Sequence, residues 1–159
     1  MDEQRSSDDL REFLKSLTAH EVEYLLIGGF AVALHGYPRA TADLDLWIGV
    51  SPVNVERVLA ALRDFGFNPT DDAARALATP GKILRMGYPP MRIELITAPA
   101  GVEFGPCQMR AAIKDVFGVA VPVISLEDLI ANKRAAGRPK DLIDAAELER
   151  IRVRIRRAP

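Results

Sequence analysis

Asp43 and Asp45 stand two residues apart in the apolar run "DLDLWIGV". On an extended strand, alternate residues share a face at a spacing of about 6.6 Å, twice the rise per residue. Both carboxylates, with Trp47, therefore project to one side, and Leu44, Leu46 and Ile48 to the other. Acids so placed can converge on hard divalent cations, and two-metal phosphoryl-transfer sites use such carboxylates as shared ligands. A third acid from a neighbouring strand usually completes the cage. The segment "MRIELIT" offers Glu94, on the same face as Arg92 and opposite Ile93 and Leu95. Asp-x-Asp taken alone equally describes the solvent face of a half-exposed strand.

Gly28-Gly29 adds context. The pair sits where "EYLLIGG", a short buried strand, runs into "FAVALHG", a helix of about two turns. Glycines at such a junction let backbone N–H groups approach a phosphate, and a helix N-terminus favours its charge. They serve a tight strand–helix turn equally well. The segment lacks both the G-K-[ST] of a P-loop and the G-x-G-x-x-G of a dinucleotide fold.

A second group of candidates lies in "NKRAAGRPKDLIDAAEL". Helical spacing puts Leu126, Leu129, Ile130 and Lys133 on one face, so Lys133 follows the apolar stripe. Its ammonium either snorkels to water or turns into a cleft to meet a phosphate. Downstream, Asp144, Leu148, Ile151 and Ile155 form a stripe at i, i+4, i+7 and i+11, which predicts an inward Asp144. Asp141, one turn earlier, also suits the positive end of a helix dipole. Trp47 can stack on a base or pack in the core, and packing is the simpler role for it and for His35.

These groups need elements to carry them. Leu10, Phe13, Leu14 and Leu17 predict a helix from about Ser7. Ser51, Pro52 and Gly66 bound a helix with an apolar stripe of Val55, Val58, Leu59, Leu62 and Phe65. A short helix is expected over 70–80. "KILRM" and "MRIELIT" read as strands about a "GYPP" turn. Residues 99–122 are the least legible, with a loop or short helix and then strand pieces near 113–117 and 121–124. A capping-box pattern from Ser125 to Asp128 opens a helix that stops at Gly137, and Pro139 stands near the start of a last one. The order predicts an α+β fold: a small mixed β-sheet flanked by helices, ending in a C-terminal helical pair.

Composition narrows the classes. The 159 residues suit one domain, 1–159, with a core at about 20–124 and a helical segment at about 125–156. A net charge of −1 argues against bulk electrostatic coating of nucleic acid or membrane. The single cysteine, Cys107, excludes an internal disulfide and a cysteine-based zinc site, and no basic residue flanks it to activate the thiol. Neither a signal peptide nor a membrane-length apolar run is present, so a soluble cytoplasmic protein is expected. Arg150, Arg152, Arg154, Arg156 and Arg157 crowd the C-terminus, as an RNA contact or a solvated helix end.

The stretch "IGGFAVALHGYPRATADLDLWI" resembles the core motif of the DNA polymerase β-like nucleotidyltransferases, and more narrowly the AbiEii-type toxins and related minimal nucleotidyltransferases. The Lys…Arg…Lys-Asp…Asp run resembles the second signature of that group. The resemblance implies Mg2+ or Mn2+ and transfer of an NMP from an NTP with release of pyrophosphate. It assigns Asp43, Asp45 and Glu94 to metal, Glu94 standing where the superfamily often has Asp. Gly28, Gly29, Arg39 and Thr41 would meet the triphosphate, and Lys133 and Arg138 a phosphate or base. Asp141 or Asp144 would orient the acceptor or act as base. It further implies an RNA acceptor, tRNA-like at its 3′ end, and an antitoxin or helical partner protein. The small size leaves little room for an acceptor domain, so a partner chain or homodimer is expected to supply part of that site. Two other readings compete: a catalytically silent module binding nucleotide or a partner, and a transferase whose acceptor is a protein or small molecule.

Overall fold

The computed structural model describes residues 2–41, 43–88 and 91–159. Among these the chain forms α1 (Asp2–Ala19), β1 (Tyr24–Ile27), α2 (Gly28–Leu34), β2 (Asp43–Ile48), α3 (Pro52–Phe65), α4 (Asp71–Leu77), β3 (Ile83–Tyr88), β4 (Met91–Ile96), α5 (Phe104–Arg110), β5 (Ala112–Val116), β6 (Val119–Val123), α6 (Leu126–Ala136) and α7 (Pro139–Arg157). The strands make one six-stranded sheet in the order β3-β4-β2-β1-β6-β5. It is mixed, as expected: β2 runs parallel to β4 and β1 parallel to β6, and the other neighbours are antiparallel.

Alternation decides which side each residue serves. On one face Leu26, Leu44, Leu46, Ile48, Ile93 and Leu95 are fully buried. The same face of β3 turns Leu84 and Met86 toward Leu62 and Phe67. Phe13 of α1 joins them edge-on, 5.3 Å from Phe65 and 6.4 Å from Phe67. The opposite face carries Leu25, Ile27, Asp43, Asp45, Trp47 and Glu94. Trp47 is buried there beneath Phe104 of α5, their rings 5.3 Å apart and nearly perpendicular, so it belongs to the core. Burying this pair fixes the floor on which the acids stand.

Local signals set the ends of elements. Ser51 accepts from the Asn54 N–H at 3.2 Å, and Gly66 closes α3 in the left-handed conformation. Ser125 caps α6 through the Asp128 N–H at 3.1 Å, and Gly137 ends it in the same way. Several elements depart from expectation. Helix α1 begins at Asp2 rather than near Ser7, because no breaker precedes the apolar stripe. Region 99–122 does hold a short helix, α5, and strands near the expected 113–117 and 121–124, but the two strands form a tight hairpin, β5–β6, turned by Phe117 and Gly118, both at positive φ. That two-residue turn matches the twist of its strands, and the unusual φ at Phe117 hid it from the sequence. In α7, Asp144, Leu148 and Ile151 are buried as the stripe predicts, but Ile155 is 62% exposed. The helix has by then run past the body it packs on.

His35 closes α2 and bonds the Ile124 carbonyl through Nε2 at 2.8 Å, a packing role. Cys107 does have a basic neighbour, since Arg110 Nη2 lies 4.0 Å from its Sγ. That guanidinium is committed to Asp128 by two bonds of 2.9 Å, and burial pushes the thiol up. Among the C-terminal arginines, Arg152 and Arg156 meet Glu127 of α6, and Arg150 meets Glu147. No described helix is long and apolar enough to cross a membrane.

Candidate active site

Strand register brings the three acids together. Asp45 of β2 stands directly across from Glu94 of β4, and Asp43 across from Arg92. One oxygen from each of Asp43, Asp45 and Glu94 falls within 4.8 Å of the others. On the far side of β2, Ile27 pairs with Asp45 and turns the chain into α2 through Gly28. Gly28 has φ +71°, and a β-carbon there would lie 2.0 Å from Asp45 Oδ2. Glycine is thus required by conformation and by contact. At Gly29 an added β-carbon would meet Thr41 Oγ1 at 2.8 Å and Arg39 Nη2 at 3.3 Å.

A cavity of about 460 Å³ opens above the acids. Its floor is Gly28, Asp43, Asp45 and Glu94, and its far wall is Lys133, Arg138, Lys140 and Asp141 of α6 and α7. Arg85 and Arg92 of the β3–β4 hairpin close a third side. Ile83, Ile96 and Pro99 form an apolar end. Gly29, Arg39, Thr41 and Asp144 do not line it.

The far wall is anchored in a buried ion network. Lys133, 5% exposed, holds its Nζ 3.1 Å from Asp144 and 3.4 Å from Asp141. Asp144 also accepts from Arg39 Nη2 at 2.9 Å. Asp141 accepts from the Arg138 backbone N–H at 3.2 Å and from its Nε at 2.6 Å, which caps α7. Lys133 therefore does not snorkel. Its charge is matched by two carboxylates, as burial requires. The Arg138 guanidinium beside Asp141 holds that carboxyl below its ordinary range against the opposing effect of burial.

The acids at the floor differ in state. Arg92 pulls Asp43 below the usual carboxylate range through a two-pronged bond of 2.7 and 2.8 Å. Asp45 is pushed up to about 7, by burial first and then by the Glu94 and Asp43 charges. Its Oδ1 is buried with no hydrogen-bond partner.

A family model described as the nucleotidyl transferase AbiEii toxin of type IV toxin–antitoxin systems matches residues 10–158. The chain belongs to the AbiEii nucleotidyltransferase family. Solved structures of low identity share the nucleotidyltransferase fold. The antibiotic-resistance factor ANT(2″)-Ia is 15% identical, with a TM-score of 0.56 over 98% of this chain and 93% of that one. A candidate nucleotidyltransferase from Thermotoga maritima is 17% identical, with a TM-score of 0.54 over 94% of this chain and 91% of its own. An antigenic nucleotidyltransferase-like protein from Paracoccidioides brasiliensis is 16% identical, with a TM-score of 0.52 over 85% and 71%. No curated protein matches the chain.

A divalent cation, as the AbiEii class implies, fits the residues present. Ligands on opposite sides of Mg2+ are about 4.2 Å apart at its usual bond length, close to the 4.8 Å spread of the three carboxylates. The unpartnered Asp45 Oδ1 and the upward shift of its carboxyl mark a position where positive charge is missing. The cavity cations Arg85 and Lys140 escaped the sequence reading. Arg85 would have needed the hairpin register, which pairs it with Glu94 across β3 and β4. Lys140 belongs to the Lys-Asp pair of the second signature, but a lysine in a first helical turn is equally well a solvated one, and the resemblance assigns it no role.

Proposed function

We propose that this AbiEii-family chain moves an NMP from an NTP to an acceptor hydroxyl, releasing pyrophosphate, in the cavity above Asp43, Asp45 and Glu94. The observation that carries the reading is the convergence of those carboxylates beside Gly28 in a cavity ringed by cations. Asp43, Asp45 and Glu94 would hold Mg2+ or Mn2+. When bound, the metal supplies Lewis-acid stabilisation of the α-phosphoryl group and lowers the pKa of a coordinated hydroxyl.

The remaining work falls to the chain itself. The backbone at Gly28 approaches the phosphates without a side chain in the way. Arg85, Arg92, Arg138 and Lys140 offset the triphosphate charge from two sides, and Arg138 keeps 68% of its side chain exposed despite its bond to Asp141. Lys133 contributes its field from the far wall, where Asp141 and Asp144 fix its position. We assign those two aspartates to holding cations rather than to acting as base, because they are only 1% and 3% exposed. Gly29, Arg39 and Thr41 pack together and set the path from α2 into β2. The apolar end at Ile83, Ile96 and Pro99 offers a surface for the planar base.

For the acceptor we propose RNA, with a tRNA 3′ end as the first candidate, because the exposed rim of the cavity is cationic. Family membership supports a toxin role in the cytoplasm and an antitoxin partner. The test is transfer of label from each α-labelled NTP, with Mg2+, to total RNA. Labelling that disappears in Asp43→Ala and Asp45→Ala supports the assignment. Labelling retained in both variants overturns it, and tight NTP binding without transfer to RNA, protein or small molecules favours a binding module.

A further inference from the structure

Two of the three acids of the cluster, Asp43 and Glu94, are each held by an arginine of the β3–β4 hairpin. Arg92 forks onto Asp43, Nε to Oδ1 at 2.7 Å and Nη2 to Oδ2 at 2.8 Å. Arg85 donates from Nε to Glu94 Oε1 at 2.9 Å. Asp45 has no such partner. Both guanidiniums line the cavity, and their side chains are 37% and 63% exposed, so a rotamer change can carry either one away from its acid.

A forked guanidinium occupies both oxygens of a carboxylate along the directions a metal ion would use. A divalent ion entering alone must therefore take oxygens from Arg92 and Arg85, and it leaves two cations facing a third. An ion that enters with a triphosphate brings the arginines a new partner of greater negative charge, in the planar geometry guanidinium prefers.

We propose that Arg92 and Arg85 are positioning residues that exchange partners. They neutralise Asp43 and Glu94 while the cavity holds no divalent ion, and they pass to the triphosphate when metal and nucleotide bind together. The proposal rests on the nucleotidyl-transfer reading and adds to it a coupling: nucleotide tightens metal binding, and by linkage metal tightens nucleotide binding. The arginines are the element that both ligands bias.

The experiment uses the full chain as wild type, Arg92→Met and Lys140→Met. Mn2+ alone is titrated by electron paramagnetic resonance of the free ion. The Mn2+-loaded proteins are then titrated calorimetrically with the α,β-methylene analogues of ATP, CTP and GTP in turn. Arg92→Met is expected to bind Mn2+ alone about tenfold more tightly and the best analogue about tenfold more weakly, the scale of one charge-assisted bond. Lys140→Met also weakens the analogue, but it changes Mn2+ binding less than about twofold, because Lys140 holds none of the three acids.

Unchanged or weaker Mn2+ binding in Arg92→Met means that Arg92 merely braces two strands, and overturns the exchange. Equal tightening in Lys140→Met means a diffuse field, and overturns it too. Should Arg92→Met fail to fold, Arg85→Met gives the same reading through Glu94 from a more exposed position. Wild-type transfer activity with no change in Mn2+ affinity in either arginine variant sinks the exchange alone. Absence of Mn2+ binding in every protein, with and without the nucleotide analogues, overturns the exchange and the transfer reading together.

Discussion

Gly28 and Asp45 are in contact: a β-carbon added at position 28 would fall 2.0 Å from the Asp45 carboxylate. Residue 28 also sits at φ +71°, where a side chain costs about 1–2 kcal/mol. Gly28→Ala is therefore expected to lower stability by about that amount and to displace Asp45. A misplacement of this order can reduce transfer roughly a hundredfold. Gly29→Ala is expected to be milder, because its β-carbon meets Thr41 Oγ1 at 2.8 Å and Thr41 Cβ at 3.0 Å, longer contacts than at Gly28, and its φ is not in the left-handed region. Label-transfer rates and thermal melts of the two variants check the contrast.

Asp45 makes metal-free stability depend on pH. Its folded-state pKa is raised to about 7, above the ordinary carboxylate value, so the folded protein keeps a proton that the unfolded chain releases. That contribution is full below about pH 4 and is lost as pH rises through about 7. Asp45→Asn removes the dependence. In EDTA, the variant is expected to melt above wild type at pH 8, with the gap closing toward pH 4. A constant gap across that range counts against the assignment.

Lys133 is the most exacting position in the ion network. Lys133→Met leaves Asp141 and Asp144 buried with only Arg138 and Arg39 as partners. Removing one member of a buried pair costs 3–5 kcal/mol in general, and the remaining partners bring the expected loss to about 3 kcal/mol. Urea denaturation gives the value, and Lys133→Arg should recover part of it.

The ion pairs that join α6 to α7 at the surface behave differently. Glu127 accepts from Arg152 and Arg156, yet all three lie at the solvent boundary. Glu127→Ala is expected to change unfolding free energy by less than about 1 kcal/mol, and less still in high salt. Chemical denaturation at two salt concentrations tests it.

The acids at the floor were legible because strand alternation is strict: Asp43 and Asp45 had to share a face, and Glu94 had to share one with Arg92. The inward turn of Lys133 followed from helical spacing in the same way. The partners of these groups were not legible. Which cation meets Glu94 depends on hairpin register, and the "GYPP" turn did not fix it. The stripe of α7 turned Asp144 inward, whereas burial of Asp141, one turn earlier, depends on how α6 and α7 cross, which no single-helix pattern contains. Trp47 shared the face of the acids but went to the core, because Phe104, from the least legible region, covers it.

The cavity draws its walls from opposite ends of the chain. Its floor is complete by Glu94, while Lys133, Arg138, Lys140 and Asp141 arrive from the last two helices. A nascent chain emerging from the ribosome would thus carry the acids long before their opposing wall. Translation order alone keeps the site unassembled until α6 and α7 have been made.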